Sequence, residues 1–67
     1  MKRGKKFVVI LQTIGDTIID HTNKVKDVDG WHDTYCNNEK AVELKIYERK
    51  GVGYECIYHD HKRRIGF

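Results

Sequence analysis

The sequence predicts a small α+β domain: a twisted antiparallel sheet in the order β-β-β-α-β, with one helix laid on one face. Three observations point there. Apolar runs suited to strands occur early, at residues 7–11, and late, at residues 54–58. Turn signals fall at Gly15-Asp16 and Asp29-Gly30. Between Asn38 and Lys50 a cap, a run of helix formers and a glycine stop follow in order.

The first strand spans residues 6–14. Phe7, Val8, Val9, Ile10 and Leu11 place apolar side chains on both faces, as in a central strand covered in part on each side. Gly15-Asp16 fits a two-residue type II′ hairpin turn, glycine first. Thr17, Ile18 and Ile19 begin the return strand, with Ile18 beside Thr13 and Ile19 beside Gln12. Residues 24–30, KVKDVDG, read as a polar connection or a short strand. Residues 31–36, WHDTYC, form the third strand, with Trp31 a mostly buried anchor at its start.

The stretch from Asn38 to Lys50 supports two readings. For a helix, the Asn38 side chain accepts from free amides of the first turn, and Glu39 sits at the positive end of the dipole. Ala41, Glu43, Leu44, Lys45 and Glu48 favour the helix, and Gly51 supplies a left-handed residue to end it. For a strand, Val42, Leu44 and Ile46 alternate and could pair with Tyr54, Cys56 and Tyr58. That alternative gives a five-stranded meander closing as an SH3- or OB-like barrel. It would also place Tyr47 on a sheet face, where it could stack a base. Residues 54–59 are a strand under both readings.

A chain of 67 residues, 39% hydrophobic, makes one domain over residues 1–67 with a thin core. Residues 1–5 and 62–67 read as loose basic ends. Of the 13 cations, Lys2, Arg3, Lys5, Lys6, Lys62, Arg63 and Arg64 lie at those ends, against 10 acids between them. Basic ends suit a nucleic-acid backbone or an acidic protein surface. They also serve simply as solubilising charge on frayed termini. The opening MKRGKKFVVILQTIG starts like a signal peptide, but Gln12 and Thr13 break the apolar run and no small-x-small site follows. No stretch is long enough to span a bilayer. A cytoplasmic protein is expected, with Cys36 and Cys56 as reduced thiols.

Chemistry finds few footholds. His32, Cys36, Cys56, His59 and His61 are residue types that bind zinc. Yet no C-x2-C knuckle is present, His32 and Cys36 on one strand would sit apart, and Cys56 would face away from His59 and His61. No metal and no cofactor are expected. Were a metal to bind, Cys56, His59 and His61 would be the first ligands to test. Asp27, Asp29 and Asp33 around Gly30 look like part of a calcium loop but lack its bidentate glutamate. There is no serine, and Cys56, His59 and Asp60 on one strand do not converge as a nucleophile set. An enzyme is not expected.

The residues therefore suggest a small non-catalytic binding protein, a protein-interaction module such as an inhibitor or adaptor. The size and the Lys/Ile/Asn flavour resemble accessory proteins of phages and other mobile elements, a likeness of style that carries no residue across. The alternative is a nucleic-acid-binding domain using Lys2, Arg3, Lys5, Lys6, Lys62, Arg63 and Arg64. Convergence of the two basic ends on one edge of the sheet would separate these readings.

Overall fold

Alternation prevails over helix propensity in the second half of the chain. In the computed structural model, which describes residues 5–62, the elements are β1 (Phe7–Thr13), β2 (Thr17–Thr22), α1 (Val25–Asn37), β3 (Ala41–Lys50) and β4 (Gly53–His61). The fold class is as predicted: an antiparallel sheet with one helix packed on one face. The element order differs, being β-β-α-β-β rather than β-β-β-α-β. The five-stranded barrel is not formed either, because the four-stranded sheet is open, in the order β2-β1-β3-β4.

The helix sits where a connection and a third strand were expected. Val25, Val28, Trp31 and Tyr35 recur at helical spacing, so one stripe of α1 is apolar despite Gly30 and three aspartates. Val28 and Trp31 pack on the core and Tyr35 lies inside it. Topology asks for a crossover here. β2 and β3 each pair antiparallel with β1, on opposite sides of it, so they run parallel to one another. A parallel pair needs a connection that passes over the sheet, and α1 makes it. Trp31 is therefore a helix residue rather than a strand residue; it is mostly buried, as expected, and packs against the core with its indole Nε1 donating to Asp20 Oδ2 at 2.8 Å.

Residues 41–50 form a strand because the core rewards their period of two. Leu44 and Ile46 face α1 beside Leu11 and Val9. A bulge leaves Val42 as an extra residue between the pairs Gln12–Glu43 and Thr13–Ala41. Ala41 thereby joins the core, together with Phe7 and Tyr35. β4 returns across Gly51-Val52, with Lys50 opposite Gly53. Gly51 has φ 62° and no non-glycine residue among those described has positive φ, the sign pattern of a type II′ turn.

The first hairpin is looser than predicted. Ile18 pairs with Leu11 and Ile19 with Ile10, two residues away from the predicted register. Thr13 closes the loop instead: its N–H donates to the Asp16 carbonyl at 2.8 Å, and its Oγ1 accepts from the Asp16 N–H at 3.0 Å. A shift of two leaves every side chain on the same face, so the apolar pattern survives it.

Candidate functional site

α1 covers one face of the sheet, and among the described residues no element lies on the other, called here the bare face. Directly paired residues share a face, and every second residue along a strand returns to it. The register therefore assigns the bare face. Ile19 and Ile10 lie opposite one another on β2 and β1, and Val8 lies opposite Tyr47 on β3. These four make an apolar patch; Ile19, on the edge strand, is 57% exposed. Lys45 sits beside Ile10, and Arg49 follows Tyr47 on the same side of β3. Tyr54, His59 and His61 border the patch on β4, where Tyr54 Oη donates to the Lys5 carbonyl at 2.8 Å.

The two sides of the molecule differ in charge. On the bare face, the described residues include the cations Lys45 and Arg49 and one acid, Glu43. His59 Nε2 lies 2.7 Å from Glu43 Oε2. That bond, opposed by partial burial and aided by Lys45, His59 and His61, holds the Glu43 carboxyl below the usual carboxylate range. The helical layer is acidic: α1 carries Asp27, Asp29 and Asp33 against Lys26 alone.

The basic ends do not converge among the described residues. β1 and β4 both run antiparallel to β3, so the start of β1 and the end of β4 lie at opposite ends of the sheet. At one end the Arg49 N–H donates to the Lys6 carbonyl, and at the other the Lys62 N–H donates to the Val42 carbonyl, each at 2.8 Å. Val42 and Arg49 stand about 23 Å apart at the rise of a strand. Lys6 Nζ is 3.7 Å from Glu48 Oε2, and Lys5 precedes it at the same end. Lys62 is not loose. Its Nζ donates to the carbonyls of Tyr35 at 2.6 Å and Asn38 at 3.2 Å, and lies 4.7 Å from the Tyr35 ring centroid. Lys2, Arg3, Arg63 and Arg64 lie outside the described residues.

The other candidates land as follows. A bulge leaves Ile57 as an extra residue in β4, between the pairs Ile46–Tyr58 and Tyr47–Cys56. It turns Cys56 onto the same face as His59 and His61, against expectation. Even so, no three or more His, Cys, Asp or Glu side chains among the described residues group as a metal site. His32 and Cys36, expected to sit apart on a strand, are one turn apart on α1, with Cys36 Sγ 3.9 Å from either ring nitrogen. Asp60 faces α1 and accepts from Tyr35 Oη at 2.9 Å, so it cannot join Cys56 and His59 on the bare face. Cys36 and Cys56 are exposed free thiols. No helix among the described residues is long and apolar enough to cross a membrane.

The bare face was missed because the alternation of Lys45, Tyr47 and Arg49 was outweighed by helix propensity. That alternation is the signal that could have found it. No family model, curated protein or solved structure matches this chain.

Proposed function

We propose that this protein is a non-catalytic protein-binding module, an inhibitor or adaptor, and that the bare face of its sheet is the contact surface. One observation carries the reading. Ile19, Ile10, Val8 and Tyr47 form an apolar patch on an uncovered sheet, bordered by Lys45, Arg49 and Tyr54. An apolar centre with a polar rim, tyrosine and arginine included, is the usual anatomy of a protein contact. Nucleic-acid binding through the basic ends has less behind it. Lys5 and Lys6 stand at the far end of the sheet from Lys62, whose ammonium group is occupied by α1.

Affinity capture from host lysate, with and without nuclease, tests this. The wild type should retain the same protein under both conditions. The variant Ile19→Asp/Lys45→Glu should lose it while melting as the wild type does. Capture that vanishes with nuclease would favour the nucleic-acid reading. Capture undisturbed by the variant would place the contact elsewhere.

A further inference from the structure

We infer that His32 and Cys36 on α1 form a two-ligand site for a zinc-class divalent cation, with Tyr58 as the residue that orients His32. The site lies on the helical side of the sheet and is separate from the contact surface proposed above.

A strand would hold His32 and Cys36 apart, which was one ground for expecting no metal; α1 removes it. Four residues apart in a helix, the two share a side. Cys36 is an exposed free thiol. Its Sγ lies 3.9 Å from His32 Nδ1 and 3.9 Å from His32 Nε2. Zinc takes sulfur at about 2.3 Å and nitrogen at about 2.0 Å in a tetrahedral shell, which sets the two ligand atoms about 3.5 Å apart. A small turn of the ring closes the difference without moving the backbone.

The sulfur favours neither ring nitrogen, and Tyr58 decides between them. Tyr58 Oη is 3.3 Å from His32 Nε2, and the two rings meet edge to face with centroids 5.4 Å apart. Tyr58 packs on the core from β4, so it holds the imidazole from the sheet side. With Nε2–H donating to Tyr58 Oη, the lone pair of Nδ1 is left for the ion. Metal-binding histidines use this arrangement, one nitrogen on the metal and the other donating to an oxygen.

The ligand types select the ion. A thiolate and an imidazole suit zinc or cobalt(II), whereas calcium and magnesium take oxygen. Asp29 and Asp33 each lie three residues before one of the pair, and their charge adds to the attraction. No place among the described residues gathers three or more His, Cys, Asp or Glu side chains. Residues 1–4 and 63–67 contain none of those four types. Two of the four positions of the ion are therefore left to water.

Cobalt(II) titration of the full chain is the test, with a phosphine reductant that keeps the thiols free. The wild type should develop thiolate-to-cobalt absorption in the near ultraviolet, and zinc should bleach it by displacement. Cys36→Ser should abolish the band, and Cys56→Ser should leave it unchanged. His32→Ala should weaken cobalt binding at least about tenfold, and Tyr58→Phe about tenfold with the band kept. Melting in chelator should be the same for Tyr58→Phe as for the wild type, which separates orientation of His32 from a packing defect. Zinc should raise the melting temperature of the wild type and not that of Cys36→Ser. No band in the wild type, or a band that survives Cys36→Ser, overturns the inference. A band lost with Cys56→Ser also overturns it and moves the site to Cys56, His59 and His61. Unchanged affinity in Tyr58→Phe overturns the part given to Tyr58.

Discussion

Lys62 does for α1 what the helix's own last turn does not. That turn has no basic residue, although its free carbonyls favour a cation. Lys62 reaches in from the end of β4, donates to the Tyr35 and Asn38 carbonyls and covers the Tyr35 ring. Lys62→Met keeps the aliphatic stem and removes the charge. It should cost about 1–3 kcal/mol, the range for a charged hydrogen-bond donor, read by urea unfolding. Tyr35 itself is 1% exposed. Burial first, then the bond to Asp60 and its charge, push its phenol above the usual tyrosine range. The raised value fixes the sign. The protonated phenol stabilises the fold fully below its unfolded pKa of about 10, and this is lost as pH rises above that. Stability should therefore fall on the alkaline side, and Tyr35→Phe should flatten the fall. A Tyr35 phenol that ionises near pH 10 without unfolding, followed by tyrosinate absorbance, would contradict this.

At the scale of elements, two glycines separate the turn from the helix. Gly51 at φ 62° occupies the first central position of the β3–β4 turn. Gly51→Val should cost about 1–2 kcal/mol, because a β-branched residue resists the left-handed region. Gly30 is the reverse case. It lies inside α1 with nothing within 4 Å of an added Cβ. Gly30→Ala should stabilise by about 0.5–1 kcal/mol and raise the melting temperature. The same glycines show what was readable in the chain. Gly51 was read as the left-handed residue that ends a helix; its φ is positive, but it serves a turn between two strands. Asp29-Gly30 looked like a turn and hid the spacing of Val25, Val28, Trp31 and Tyr35, which was legible as a helix throughout. Asn38 was read as the start of a helix, but it closes one: its N–H donates to the Thr34 carbonyl at 2.9 Å. Local propensity pointed one way and sheet pairing the other, and pairing prevailed in residues 41–50. The bulges at Val42 and Ile57 could not be read at all, because they depend on the register of the neighbouring strand.

At the scale of the whole molecule, the sheet is a partition between an apolar, acid-edged layer and a bare basic face. The charge asymmetry that the sequence displayed from end to end is, in the folded chain, also an asymmetry between faces. The candidate site was legible only in part for that reason. Lys5, Lys6 and Lys62 stood out as cations, whereas Lys45 and Arg49 lay among acids in sequence and leave most of them only on folding. The partition gives a test on two adjacent residues of β3. Leu44 is fully buried, at 0% exposure, against Leu11 and the helix. Lys45 points to the other side, beside Ile10. Leu44→Ala opens a cavity in a thin core and should cost about 2–5 kcal/mol. In a domain of 67 residues that is most of the available stability. Lys45→Ala removes nothing from the core and should stay within about 0.5 kcal/mol. Urea unfolding of both variants decides it. A helix over residues 41–50 would put the two neighbours 100° apart and blur the contrast, whereas a strand sets them on opposite faces. If Lys45→Ala proved as costly as Leu44→Ala, the face that carries Lys45 would not be bare, and the contact surface assigned to it would fall with it.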